Sequence, residues 1–296
     1  MFKGINKHYL LLHFIVFIWG FSPILGRFIT ADAYQLVWWR ISATVTVMFL
    51  YIQMARINYI IDKKTILQLA GTGVIIAIHW LCFYGAIKVS NVSVTMVAFS
   101  TGTLFSSIVE PILFKRRVRL YEVIIGLIII AGIGFIFTIE TTYRLGILLG
   151  VIAAFTAAIF GVINGLMIKK TEAAVISFYE LLAAFIALSF YLLGTQKFDV
   201  HFFALDNRSI LGLTILSLVC TVFPFIASVN LNKYISPYTQ ILTVNLETVY
   251  GIIWAILFYE ENLELTPSFY IGVLIILFAV FLNPLIKARL HQTKAG

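Results

Sequence analysis

Four ionisable residues stand inside long apolar stretches of this chain: Arg40, His79, Glu180 and Glu247. An ionised side chain in the middle of a bilayer-spanning helix costs at least ~2.5–3.5 kcal/mol, so each asks for a partner or a task. A carboxylate there can hold a cation or a proton, an arginine an anion, and a histidine can relay protons. Around Glu247, the residues Gln240, Thr243, Tyr250, Gly251 and Trp254 recur at three- and four-residue spacing and share a helical face too polar for lipid. Asn245 lies about 200° around the helix from Glu247, on another surface. A second stretch presents Phe99, Thr103, Ser106, Ser107 and Glu110 in the matching pattern. Two such faces are most simply explained by a central cavity, with interhelical hydrogen bonding as the alternative role for Glu247.

The other polar positions leave two readings open. Arg40 and Glu180 are either buried staples that orient their helices or gating and substrate groups. Their depths differ by about 12 Å, which points to separate partners. His79 is a packing residue or a proton relay, and Asn164 a cavity contact. Pro224 frees a backbone carbonyl and can bend its helix, which makes it a hinge candidate.

No catalytic set emerges. The histidines His8, His13, His79, His201 and His291 have no metal-ligand spacing with one another or with carboxylates, so neither a metal nor another cofactor is expected. Nucleophile-elbow, Walker and dinucleotide glycine patterns are missing. Cys82 and Cys220 both lie in apolar runs and read as buried, inert thiols. The basic residues are too dispersed for a nucleic-acid site.

The elements that must position these residues follow from composition. Of 296 residues, 61% are hydrophobic and 11% charged, and the mean hydropathy is +1.01. Soluble domains carry roughly 25% charged residues, so an ordinary soluble enzyme is excluded, as is disorder. Apolar runs fall near 9–29, 34–54, 66–87, 92–114, 120–139, 145–168, 173–194, 209–231, 236–259 and 266–287. Each is about the length that a spanning helix needs, and ten of them use roughly 200–220 residues, leaving no room for a soluble domain. Of the 21 lysines and arginines, Arg27, Lys88, Arg144, Lys197 and Arg208 fall on one side and Arg40 inside a run. The rest share the side of the N-terminus, which the positive-inside bias makes cytoplasmic. The net charge of +8 then marks orientation and implies no acidic partner.

The two halves also echo each other. Val89–Phe114 lies without gaps over Lys233–Phe258, Trp38-Trp39-Arg40 over Phe178-Tyr179-Glu180, and Trp19-Gly20 over Phe160-Gly161. Spans 1–5 thus fall over spans 6–10, and because five is odd the second copy is inverted, a pattern of secondary transporters. Trp19-Gly20-Phe21, Arg40 and Gly85-Ala86-Ile87-Lys88, with Leu246-Glu247-Thr248-Val249, Leu257-Phe258-Tyr259-Glu260-Glu261 and Gly272, resemble the EamA-type drug/metabolite transporters. The resemblance spans nearly the whole chain. Thr248 departs from it where proline is common, and Arg117 where a glutamate is. Smaller four-span relatives couple to protons through a glutamate in the first span. Trp19 and Phe160 stand at the matching places here, so that route is absent.

The expected fold is therefore an all-α polytopic membrane protein of ten transmembrane helices, built as two inverted five-helix repeats, 1–144 and 145–296. The expected function is secondary transport of small metabolites, amino-acid-like compounds or drugs, export more than import, by alternating access through a cavity between the repeats. An intramembrane enzyme using the same cavity is the alternative. Candidate cavity residues are Trp19, His79, Phe99, Thr103, Ser106, Asn164, Thr243, Glu247, Tyr250 and Trp254, with Arg40 and Glu180 as gating or structural charges and Pro224 as hinge. The expected partners are a small-molecule substrate and the lipid bilayer, with no nucleic acid, for a monomer in the inner (plasma) membrane with both termini cytoplasmic.

Overall fold

The computed structural model describes residues 7–115, 117, 120–139 and 141–292. Lys3, Arg116, Arg119 and Lys294, among the basic orientation markers, lie outside the described residues. The chain forms helices α1 (Lys7–Trp19), α2 (Ser22–Phe28), α3 (Ala33–Met54), α4 (Lys63–Val89), α5 (Val92–Phe99), α6 (Gly102–Leu113) and α7 (Leu120–Ile139) in its first half. The second half holds α8 (Arg144–Met167), α9 (Ala173–Gly194), α10 (Val200–Phe203), α11 (Asn207–Ser217), α12 (Phe223–Leu231), α13 (Pro237–Tyr259) and α14 (Pro267–Gln292). Eight helical stretches among the described residues are long and apolar enough to cross a membrane. Shorter apolar stretches, Ile124–Thr138 and Pro267–Ala279, lie in α7 and α14.

The helix starts are written in the sequence. Asp32 and Gln35 form a capping box at α3, and Asp62, Asn91, Asp206 and Ser236 accept N–H bonds from Thr65, Val94, Ser209 and Thr239 at the starts of α4, α5, α11 and α13. These caps satisfy donors that lipid could not.

Three stretches expected to be continuous are interrupted, each for a local reason. Between α1 and α2, Gly20 lies against Tyr250, whose Cβ would stand 2.7 Å from a Cβ built on the glycine. Pro23 then occupies the first turn of α2. Between α5 and α6, the hydroxyls of Ser100 and Thr101 bond back to the carbonyls of Val97 and Ala98 at 2.6 and 2.7 Å, a geometry that bends helices. Between α11 and α12, residues Leu218–Val222 form a π-helical turn. Pro224 has no N–H to give the carbonyl of Cys220 four residues back, and the indole Nε1 of Trp19 supplies that bond at 3.1 Å.

Small residues let the rods approach closely. A Cβ on Gly146 would meet Ser90 at 2.3 Å, one on Gly150 would meet Ala98 at 2.7 Å, and one on Gly165 would meet Pro237 at 2.5 Å. These glycines seat α8 against the end of α4, α5 and the start of α13. At one edge α7 and α14 pack on each other, with Gly132 against Ile276 and Gly272 against Ile136. Their core is separate from the main one.

Hydrogen bonds and contacts define two ends of the bundle. At the end holding the start of α1, Lys170 donates to Gln68, the Tyr179 hydroxyl to the Tyr59 carbonyl, and His8 stacks on Tyr234. This is the near end. At the far end, Thr30 donates to Asp206, Gln35 to the His201 carbonyl, and Lys88 to the Ile29 carbonyl.

A central cavity as candidate functional site

A cavity enters the bundle between both halves of the chain, with about 1070 Å³ of empty space counting its mouth. Its floor, toward the far end, is Arg40 from α3 with Trp80, Phe83 and Tyr84 from α4. Its walls carry Trp19, His79, Phe99, Phe160, Phe225 and Glu247. Toward the near end it is lined by Asn164, Ser228, Asn232, Pro237 and Gln240. Among the described residues, none that lines it comes from α7, α9 or α14.

Arg40 is buried, at 4% exposure. Its Nε donates to the Thr221 hydroxyl at 2.9 Å, an Nη donates to the Tyr84 hydroxyl at 2.5 Å, and the guanidinium lies 4.1 Å from the centre of the Trp80 ring. Thr221 is presented by the π-helical turn, where its own hydroxyl donates to the Leu216 carbonyl at 2.6 Å. Among the described residues no carboxylate lies within 4.0 Å of Arg40. Hydroxyls and an aromatic face hold the cation. Arg40 and Glu180 accordingly have separate partners. Glu180, fully buried on α9 and outside the cavity lining, accepts from the Asn164 amide at 3.3 Å, and its other oxygen meets no donor among the described residues.

Glu247 lines the cavity from α13, with no hydrogen bond from a described side chain and no described cation within 4.0 Å. His79 Nδ1 donates to the Ala153 carbonyl at 2.8 Å, because a carbonyl can only accept. The ring packs among Phe83, Phe99 and Phe160.

The sequence-derived candidates divide. Trp19, His79, Phe99, Asn164 and Glu247 line the cavity, and Arg40 joins them. Thr243, Tyr250 and Trp254 turn toward other parts: Thr243 donates to the Thr239 carbonyl, Tyr250 packs on Phe17, and Trp254 stacks on Phe21. Thr103 accepts a hydrogen bond from Asn245, and Ser106 is buried without a partner among the described residues. Asn245, expected on a different surface from Glu247, lines the same cavity. The cavity follows α13 along Gln240, Ile241, Val244, Asn245 and Glu247 and so takes in a wider arc than one stripe. Cys220 is buried, as expected, while also reaching the cavity lining, and Cys82 is only half-buried, which corrects the reading of that thiol as buried. Pro224 follows the π-helical turn that presents Cys220 and Thr221.

At the far end, outside the cavity lining, stands a cluster of charges. Arg27, in the last turn of α2, pairs with Glu261 and, at 2.9 Å, with Glu264. Glu261, fully buried, also accepts the backbone N–H groups of Val92 and Ser93 at 2.9 and 2.7 Å. It thereby caps α5, where a negative charge is favoured. Asn91 donates to Glu264 at 3.3 Å. Sequence reasoning passed over this cluster, because acidic residues between spans carry little orientation information. It also passed over Tyr84 and Thr221, whose role depends on the packing of α3, α4 and α12.

No match is found among curated proteins. The chain is similar to a solved structure described as "Crystal structure of protein", with TM-score 0.69 and 12% identity over 96% of this chain and 98% of that one. At that identity the likeness speaks for the fold. The model of the EamA-like transporter family matches residues 6–138 and again 144–284. Two matches that together take in nearly all of both halves place this membrane-spanning chain in the EamA-like transporter family.

Proposed function

We propose that this protein is a secondary transporter that moves small metabolites, amino-acid-like compounds or drugs through the central cavity by alternating access, as an exporter. The observation that carries the reading is a cavity lined from both halves of the chain, with the Arg27–Glu261–Glu264 cluster standing beyond its lining at the far end. A site reached from one face and closed to the other is one half of an alternating-access cycle. In this reading the near end is cytoplasmic, as the distribution of lysine and arginine supports, and the state is inward-open. Glu247, Arg40, His79 and Asn164 meet the substrate's polar groups, and Trp19, Phe99 and Phe160 its apolar body.

The two-repeat, ten-span inverted architecture is supported by the packing. Paired helices of the two halves meet each other, α3 with α9, α5 and α6 with α13, and α7 with α14. The α5–α6 stretch packs on α8 as α13 packs on α1, and α3 packs on α4 as α9 packs on α12. Exchanging the halves maps this set of contacts onto itself. The intramembrane-enzyme alternative lacks a comparable observation: among the described residues, no hydroxyl or thiol is hydrogen-bonded to His79.

Counterflow in proteoliposomes tests the proposal. Vesicles preloaded with a metabolite that stabilises the purified protein should take up the labelled compound saturably. A ligand that binds but never crosses, or that is chemically converted in detergent, overturns it.

A further inference from the structure

We infer that the bundle carries a second binding site, a lateral crevice that takes a membrane-dissolved carbonyl compound of the quinone type. The crevice lies between α3 and the α10–α11 stretch, with about 740 Å³ of empty space counting its mouth. It shares no lining residue with the central cavity. Ala43, Phe203, Leu205, Ile210 and Leu213 give it apolar walls. Phe203 and Ile210 remain half exposed, and apolar surface left open on a spanning bundle is where lipid lies. Three side chains of the lining carry polar atoms: Trp39, Thr214 and Ser217. Thr214 is satisfied by donating to the Ile210 carbonyl at 2.8 Å. The Trp39 indole Nε1 and the Ser217 hydroxyl are buried and meet no partner among the described residues, and Ser217 is only 1% exposed. The neighbouring Trp38, by contrast, gives its indole N–H to Ser189 at 2.9 Å. Unmet hydrogen-bonding groups in hydrocarbon are costly, and an indole N–H can only donate, so the crevice asks for an acceptor. Depth narrows the choice. Both helices start at the far end, and Trp39 lies about 9 Å along α3 and Ser217 about 15 Å along α11. In a hydrocarbon core ~30 Å thick, both stand well below the layer of lipid esters and headgroups. A phospholipid chain therefore brings no acceptor to them. A carbonyl oxygen on an apolar ring does, and Trp39 and Phe203, with ring centres 6.3 Å apart, offer aromatic surface to that ring.

The test uses the full-length protein in nanodiscs with radiolabelled decylubiquinone as probe, empty nanodiscs setting the level of simple partition. Saturable binding above that level is expected, displaced by unlabelled decylubiquinone and not by decylbenzene, which keeps a ring and the chain but has no oxygen. Trp39→Phe, which keeps an aromatic ring and removes the N–H, and Ser217→Ala should each weaken binding about two- to tenfold, the loss of one hydrogen bond. Ala43→Phe, which fills the crevice, should remove the saturable component. If Trp39→Phe does not fold, Ser217→Ala and Ala43→Phe carry the comparison. An azido-quinone photoprobe should label peptides of α3, α10 or α11. Labelling confined to α4 and α13 would place the compound in the central cavity and overturn the inference. So would the absence of a saturable component, equal displacement by decylbenzene, or binding indifferent to the loss of both polar groups, each of which would make the crevice a groove for ordinary lipid chains.

Discussion

Gly73 sits where α4 crosses α9, and a Cβ built on it would stand 2.2 Å from the Glu180 carbonyl oxygen and 2.9 Å from Ala183 Cβ. Because that obstacle is backbone, Gly73→Ala should push the two helices apart, at a cost of about 1–3 kcal/mol. Gly71, two residues away, has nothing within 4 Å. Thermal unfolding should therefore show Gly73→Ala melting several degrees below wild type and Gly71→Ala unchanged or slightly higher, and equal melting of the two would refute the crowded crossing. The helix caps make a second prediction. The Thr65 hydroxyl and N–H bonded to Asp62 hold its carboxyl below the usual aspartate range, and Ser209 does the same for Asp206. A carboxylate favoured in the folded state contributes stability above its unfolded value, near 3.8. That contribution is lost as pH falls below this value through the lower folded one. Melting temperature should drop as pH falls from 5 to 3, and the Asp62→Asn/Asp206→Asn double variant should show a shallower drop. At this scale the sequence was informative about which residues matter and less about where they point. Arg40, His79 and Glu247 stood out because charge in an apolar run is rare. The periodicity of α13 placed Tyr250 and Trp254 beside Glu247, but which arc meets the cavity depends on α1 and α2. Those helices cover Tyr250 and Trp254 with Phe17 and Phe21.

Among the elements, the interruptions carry the site. The positions of the apolar runs were readable from hydropathy. The breaks at Gly20 and at Ser100–Thr101 were not, since each depends on a partner or on a hydroxyl rotamer that composition does not reveal. The π-helical turn at Leu218–Val222 presents the Cys220 carbonyl to Trp19 and the Thr221 hydroxyl to Arg40, so one irregularity joins α1 and α3 to α12. It also leaves Cys220 on the cavity wall, a native reporter of access. In a Cys82→Ala background, a membrane-impermeant maleimide should label Cys220 from the near end and hardly at all from the far end. Arg27→Gln removes the charge that joins α2 to Glu261 and Glu264. A charge-assisted hydrogen bond contributes about 1.5–3 kcal/mol, so its loss should raise far-end labelling about tenfold or more. Unchanged far-end labelling would mean that the cluster does not hold the seal.

For the whole molecule, the shift of 144 residues that aligns Val89–Phe114 with Lys233–Phe258 pairs α5 and α6 with α13, and those helices pack on each other. That much of the architecture was legible, because an internal repeat must bury equivalent faces. The difference between the halves was not. Glu261 caps α5 at the far end, whereas the position 144 residues earlier is Arg117. At the near end the corresponding helix start, at Tyr238, is instead met by Glu110 from within α6, at 2.6 Å. In a strictly symmetric pair of repeats, the inward- and outward-open states would have the same closing contacts. Here the far end carries an ion-pair cluster, so in the proposed cycle the closing contacts of the two states differ. If transport requires that cluster to part, holding it together should stop the cycle without harming the site. Cysteines at Asn91 and Glu264, whose side chains meet at 3.3 Å, would be bridged by a short bifunctional thiol reagent in a Cys82→Ala/Cys220→Ala background. The bridged protein should keep its ligand affinity measured from the near end and lose counterflow almost completely. A cleavable version of the reagent should restore counterflow on reduction. Normal counterflow through the bridged protein would show that the far end is not a gate, and that the pathway leaves the cavity elsewhere.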